Sequence, residues 1–349
     1  MTDFPISPEE LTPEWLSEVL GFHVSGFEVA PFGEGVGMIA RVVRINLKTA
    51  ESHPQSVIAK FPTLSEGNRM VATTYNMYGR EVMFYSRYAD KVKLASPACF
   101  YSAFDSETQN FVILLEDLGH LAIGDQVEGC SIDQARTILS SIAGLHASTW
   151  MAKDFPDVVS HNNKAQHDGM VNAFQVGWPK VVEKYPDLIP RSASILEKEM
   201  VPSIQSLLDS MTNGPICFCH VDVRLDNIFF KENDDVIFVD WQSIATSCPE
   251  QDVAYFIMQN IKPEVRAEDD LVAYYHSQLT KHGINYDLDY CRERYRIAGL
   301  YLVCFAVSIA GELDLVNERG MALGRTITEN TFSALDEINA FDLLGQKKS

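Results

Sequence analysis

The run His220-Val221-Asp222-Val223-Arg224-Leu225-Asp226-Asn227 stands between two apolar segments, ICFC (216–219) and NIFF (227–230). Short apolar segments rich in Ile and Phe read as strands, which makes the polar run a loop at a strand end. Asp222 and Asn227 are five positions apart (227 − 222). Asp240 comes eighteen positions after Asp222 (240 − 222), at the tip of the next apolar segment, VIFV (236–239). Phosphoryl transfer asks for such a set, because positioning and charge neutralisation do most of its catalysis. One carboxylate accepts the proton of an attacking alcohol, which falls to Asp222. An amide oxygen and a second carboxylate are hard donors for magnesium, which suits Asn227 and Asp240. A polar turn alone explains one Asp- and Asn-rich loop. It does not explain a second Asp at the end of the following strand.

Upstream of the loop the chain reads as strand-rich. GFEVAPF (26–32), MIARVVRINL (38–47) and SVIAKF (56–61) are three short strands, followed by a helix from about 67 to 90. Two more strands follow, PACFYSAFD (97–105) and NFVILLEDL (110–118). Ser7-Pro8-Glu9-Glu10 opens a first helix, with Pro early and acids in the first turn. From Ile132 the spacing turns helical, through 131–150 and two helices over 165–211. ICFCH (216–220) and NIFF (227–230) form a strand pair, VIFVDW (236–241) follows, and helices resume from Asp252. The expected class is α+β in two lobes: an antiparallel-sheet lobe over 1–118, divided near Leu118-Gly119 from a mainly helical lobe over 119–349.

Composition narrows the function. The chain has 349 residues, 46% hydrophobic and 22% charged, with 28 basic against 48 acidic residues and a net charge of −20. No Lys/Arg-rich run is present to neutralise phosphates, so nucleic acid and anionic membrane surfaces are disfavoured as partners. A nucleotide site must be built locally, from a lysine, backbone N–H groups and a divalent cation. Seven cysteines, an odd number scattered through apolar runs, argue against a disulfide framework and for a reducing cytoplasm. Cys217 and Cys219 share one face of a strand and read as small core residues. The N-terminus lacks a signal-peptide pattern, and no apolar stretch approaches a membrane span of ~20 residues.

HVDVRLDN resembles the H-x-D-x-x-x-x-N catalytic loop of aminoglycoside phosphotransferases, choline kinases and, more remotely, protein kinases. VIFVDWQ resembles their metal-binding Asp segment. The wording RLDN followed by DWQ is similar to the ecdysteroid-kinase-like branch. The resemblance implies a protein-kinase-like fold and transfer of the γ-phosphate of ATP to a small-molecule alcohol. By it, Asp222 is the catalytic base, Asn227 and Asp240 hold Mg2+, and His220 braces the loop. Many relatives have Gly where this chain has Val221. GTP in place of ATP stays open, and so does the acceptor: aminoglycoside, choline-like amine, sterol, hydroxyacyl thioester or sugar. An inactive nucleotide-binding protein is a second reading. A metal-dependent hydrolase is a third, weakened by the absence of paired histidines at metal-ligand spacing.

Lys60 in VIAKF resembles the strand lysine that grips the α- and β-phosphates. Its expected partner is Glu81, which shares an apolar helix face with Met77, Phe84, Tyr85 and Tyr88 and would be costly there unpaired. Gly33, Gly35 and Gly37 lie between two strands and can let backbone N–H groups approach phosphates. The pattern is neither G-x-G-x-x-G nor a P-loop. The resemblance implies that Glu116 and Leu118 contact adenine through their backbone. His146 reads as a core histidine, and Asp252 as a helix cap or a brace for the catalytic loop. Tyr255, Tyr274, Tyr275 and Tyr301 read as helix core or pocket lining, and Glu312, Asp314 and Glu318 as solvated acids or a face for a cationic substrate.

Overall fold

The structure, a computed structural model, describes residues 4–31, 39–152, 154–232, 235–312 and 318–345. The chain divides into two compact units. One comprises Met1–Lys91, Ala95–Ala122 and Ile237–Ser243; the other comprises Val92–Leu94, Ile123–Val236 and Ile244–Ser349.

In the first unit, α1 (Pro13–Leu20) packs on an antiparallel sheet of β1 (Gly26–Pro31), β2 (Ala40–Lys48), β3 (Ser56–Pro62), β4 (Cys99–Asp105) and β5 (Asn110–Glu116). Their order is β1-β2-β3-β5-β4. The three strand runs of the first sixty residues and the two after residue 97 all form strands, with Val42 opposite Lys60 and Lys60 opposite Ile113. Ile45, Val57, Ala59, Phe61, Val112 and Leu114 close a core over Leu16. Burial of these β-branched and aromatic faces is the main stabilising term. The N-terminal helix starts later than Ser7 predicts. Residues Pro8–Glu10 make only a 3-10 turn, and Thr12 caps α1 by accepting the Trp15 N–H at 3.1 Å.

The single helix expected over 67–90 is broken. α2 (Glu66–Thr74) ends in Tyr75, Asn76 turns left-handed at φ 49, and α3 (Met77–Met83) runs on into a π-helical turn, Phe84–Tyr88. Thr73, Thr74 and Tyr75 are weak helix formers, and Asn tolerates the left-handed region. The break frees α3 to place Glu81, 1% exposed, against β3.

A two-residue strand, β6 (Ala122–Ile123), precedes the helical part. In the second unit, α4 (Ile132–Ser148) begins with a capping box of Ser131 and Gln134. α5 (Lys164–Lys184) and α6 (Leu196–Thr212) follow, then β7 (Cys217–Cys219), β8 (Ile228–Phe230), β9 (Val236–Phe238) and β10 (Ala245–Ser247). The expected pairing of 216–220 with 227–230 does not occur. β7 pairs with β10, Cys219 opposite Ala245, and β10 was not legible in ATS. The remaining helices are α7 (Glu250–Asn260), α8 (Pro263–Arg266), α9 (Leu271–Lys281), α10 (Leu288–Glu312) and α11 (Glu318–Glu337).

α10 corrects the reading that no apolar stretch is long enough for a membrane. Its Leu288–Gly311 segment passes that test by length and composition, and 72% of the apolar window is buried. It packs against α5, α7 and α11 as the central core helix of its unit. Gly177 of α5 permits a close approach to α10, since a Cβ there would meet the Val307 carbonyl at 2.3 Å.

Candidate active site

Lys60, Glu81 and Asp240 all lie in the first unit. Lys60, 7% exposed on β3, donates from Nζ to Glu81 Oε1 at 2.6 Å and to Asp240 Oδ1 at 2.8 Å. Burial opposes charge on Lys60, but the carboxylates of Asp240 and Glu81 outweigh it and raise its pKa, so the ammonium persists. Burial pushes the Glu81 carboxyl upward, and Lys60 opposes that shift. Asp240 comes from a segment far along the chain. It sits in the left-handed region at φ 67, just past β9, and its Oδ2 accepts from Gln242 Nε2 at 3.1 Å. Next to it Trp241, fully buried, stacks on Phe84 at 3.7 Å between ring centroids and donates its indole N–H to Phe238 O. That stack ties the Asp240 turn to the helix carrying Glu81.

At the end of β5 the backbone is pinned. Glu116 N–H donates to Ala98 O at 2.8 Å, and Leu118 O accepts from Leu121 N–H at 2.9 Å. Between them Asp117 accepts from Arg44 Nε and Ser56 Oγ, each at 2.6 Å. Burial would raise its carboxyl, but Arg44, Ser56 and the Gly119 N–H outweigh it and hold the pKa below the ordinary value. Gly33, Gly35 and Gly37 lie outside the described residues.

The loop His220–Asn227 lies in the second unit and is held from outside itself. Asp252, fully buried on α7, accepts His220 N–H and Val221 N–H, both at 2.8 Å. Further along the same helix, Asn260 Oδ1 accepts Leu225 N–H at 2.9 Å and its Nδ2 donates to Val223 O at 3.2 Å. Asp252 is therefore a brace and not a cap, since the N-cap of α7 is Pro249. Val221 has φ 70, a conformation that a β-branched residue enters only under strain and that suits Gly. The departure from the relatives' Gly thus has a structural cost, opposed by the Asp252 contact and by burial of the Val221 side chain, 4% exposed, beside Cys217 and Cys219. His220, fully buried, accepts Asp222 N–H on Nδ1 at 3.3 Å.

The Asp222 carboxylate has donors at both oxygens. Tyr255 Oη donates to Oδ1 at 2.9 Å and Asn227 Nδ2 to Oδ2 at 3.2 Å, while Arg224 Nε stands 3.7 Å from Oδ1. Because Asn227 turns its amide nitrogen to Asp222, its Oδ1 is the atom left to face a cation. Asp226, also in the loop, pairs with Arg319 at 3.0 Å, and Arg319 reaches Asp125 at 2.7 Å.

His146 on α4 joins this brace. Its Nδ1 meets Tyr275 Oη at 2.7 Å and its Nε2 meets Asp252 Oδ2 at 3.2 Å. Burial opposes charge on the imidazole, but hydrogen bonds to Asp252 and Cys219 outweigh it and push its pKa up to about 9. His146, Cys217 and Cys219 hold ligand-type atoms within 4.8 Å of one another. Both ring nitrogens are taken by hydrogen bonds, so the cluster acts as packing and bracing. Tyr255, Tyr275 and Tyr301 are all buried, at 3%, 0% and 0%, and are core, whereas Tyr274 is half-buried and bonds Ser140. Glu318 is exposed. The Asp314 position and the Glu312 side chain lie outside what is described. Tyr255 and Asn260 are the contacts sequence reading missed. Their one signal is the series of polar groups Asp252, Tyr255, Gln259 and Asn260 in a helix otherwise read as apolar.

A model of the ecdysteroid kinase-like family matches residues 34–286, more than half of the chain. Among solved structures the chain is similar to the spectinomycin phosphotransferase APH(9)-Ia in complex with ADP and spectinomycin, at 13% identity and TM-score 0.52, covering 97% of this chain and 98% of that one. It is similar to a Plasmodium vivax ethanolamine kinase at 13% identity and TM-score 0.51, covering 96% and 86%. It is also similar to the GDP and kanamycin complex of APH(2″)-IIIa at 15% identity and TM-score 0.50, covering 93% and 97%. A comparison with curated proteins finds no match. The kinase-like α+β fold expected from HVDVRLDN and VIFVDWQ is the one found.

Proposed function

The chain belongs to the ecdysteroid kinase-like family, and on that premise we propose that it transfers the γ-phosphate of ATP to a hydroxyl group of a small molecule. Asp222 accepts the alcohol proton as the oxygen attacks the γ-phosphorus. The bond from that phosphorus to the β,γ-bridging oxygen breaks, and ADP leaves. Lys60 lies against the α- and β-phosphates and neutralises part of their charge. Asn227 Oδ1 and Asp240 are hard oxygen donors that fit magnesium, which when bound neutralises charge on the phosphates. The backbone of Glu116 and Leu118 serves adenine.

One observation supports this reading above the others. Lys60, Glu81 and Asp240 come from three distant parts of the chain, yet converge on one buried ammonium within 2.8 Å. A purely structural ion pair needs one acid, and the second belongs at the end of a strand tip held in the left-handed region. The acceptors named for the similar structures, spectinomycin, kanamycin and ethanolamine, are theirs; here the acceptor is an alcohol to be found by a broad panel. Asp222→Asn tests the reading. ATP binding by equilibrium dialysis should persist, and transfer should fall by about 100-fold or more. Turnover close to that of the unaltered protein would remove Asp222 from the role of base.

A further inference from the structure

We propose that Tyr255 is a positioning residue for phosphoryl transfer: its hydroxyl aims the Asp222 carboxylate and keeps the oxygen that takes the alcohol proton in place. The proposal rests on Asp222 being the base. α7 meets the catalytic loop at three levels. Asp252 fixes the backbone ahead of Asp222, Asn260 fixes it behind, and Tyr255 alone of this helix reaches the Asp222 side chain. The first two contacts set where the Cα of Asp222 lies, but they leave its χ angles free. Of the three polar groups at the carboxylate, Tyr255 Oη is the nearest, at 2.9 Å against 3.2 Å for Asn227 Nδ2 and 3.7 Å for Arg224 Nε.

Tyr255 is suited to that task by its surroundings. Its ring is 3% exposed on a helix of which every residue is buried, so the hydroxyl has little freedom of its own. Phe305 of α10 closes against the ring edge-on at 6.4 Å between centroids. A two-torsion side chain held in this way makes a fixed donor at low entropic cost. Burial and the neighbouring Asp222 both raise the phenol pKa well above the ordinary value. Tyr255 therefore remains a donor throughout, while Asp222 takes and releases the proton. A hydrogen bond from a neutral donor orients the carboxylate without a counter-charge, which would lower its basicity further.

Tyr255→Phe removes the oxygen and keeps the ring. With Mg·ATP as substrate and water as acceptor, phosphate release should fall about 10- to 100-fold in kcat, with KM for ATP within about twofold of the unaltered protein. In 13C-aspartate-labelled protein at fixed pH, the Asp222 carboxyl resonance, assigned by its loss in Asp222→Asn, should move. In the Asp222→Asn background the Tyr255→Phe change should have no further effect on turnover. An unmoved resonance, or a kcat within twofold, would overturn the proposal; so would an equal loss in both backgrounds. The failure of the base assignment looks different: Asp222→Asn itself then turns over normally, whatever Tyr255→Phe does.

Discussion

Lys60 and Asp222 are held by opposite means. Around Lys60 charge is met by charge: one buried ammonium, one carboxylate 1% exposed on α3, and a second carried in from the Asp240 turn. Around Asp222 the nearest contacts are neutral donors, and the loop's backbone is held by amide hydrogen bonds to a single helix. The first arrangement loses solvation for every charge it collects, so removing one member strands the rest. The second holds the Asp222 carboxylate by hydrogen bonds from neutral groups and moves the structural burden to Asp252. The vulnerable point of the loop is thus thirty positions away from it (252 − 222).

The contrast is broken most directly at Asp252. Asp252→Ala removes the acceptor of His220 N–H and Val221 N–H and takes the carboxylate from His146 Nε2, so chemical denaturation should show a loss of about 3–5 kcal/mol. It should also release the strained Val221 turn. A loss under about 1 kcal/mol would mean that the loop stands without α7.

Next in size is an asymmetry around Lys60. Lys60→Met leaves Glu81 buried with no cation and should cost about 3 kcal/mol. Glu81→Gln leaves Lys60 still paired with Asp240 and should cost about 1–2 kcal/mol. Thermal unfolding of the two variants compares them. If Glu81→Gln cost as much as Lys60→Met, the Asp240 contact would be contributing nothing.

A third effect is one of pH, and it sharpens the comparison by asking whether any fixed charge supports the loop. His146 rises from an ordinary 6.5 to about 9 on folding. Folding thus favours the protonated form: its contribution is full below about pH 6.5 and is lost as pH rises through 9. Over that window stability should fall by about 3 kcal/mol. His146→Gln should flatten the fall. An identical slope in the variant would locate the pH dependence elsewhere.

The strands of the first unit were legible because each is a run of β-branched and aromatic residues closed by Gly or Pro. That pattern reflects the face each must bury, whatever its partner. The Asp222–Asn227 spacing was legible for a similar reason, since both ends of the contact lie within one loop. Helical periodicity brought Glu81 to the side facing a strand, although the break at Asn76 passed unseen. Thr, Tyr and Asn are merely poor helix formers, and only packing decides whether the helix yields there. β10 was hidden in Ala245-Thr246-Ser247, three small residues with no strand signature, which pair because β7 offers an edge.

The sequence alone thus determined the class of fold and the family. These are set by short-range pattern, where neighbouring residues report on one another. Only tertiary structure decided that Asp240 turns onto Lys60 from 180 positions away, and that Tyr255, Asp252 and Asn260 all meet the loop His220–Asn227. A chain rich in carboxylates and hydroxyls offers many partners of the right chemistry. Which of them meet is settled by how the helices pack, because a buried polar group is tolerated only where that packing supplies its hydrogen bonds.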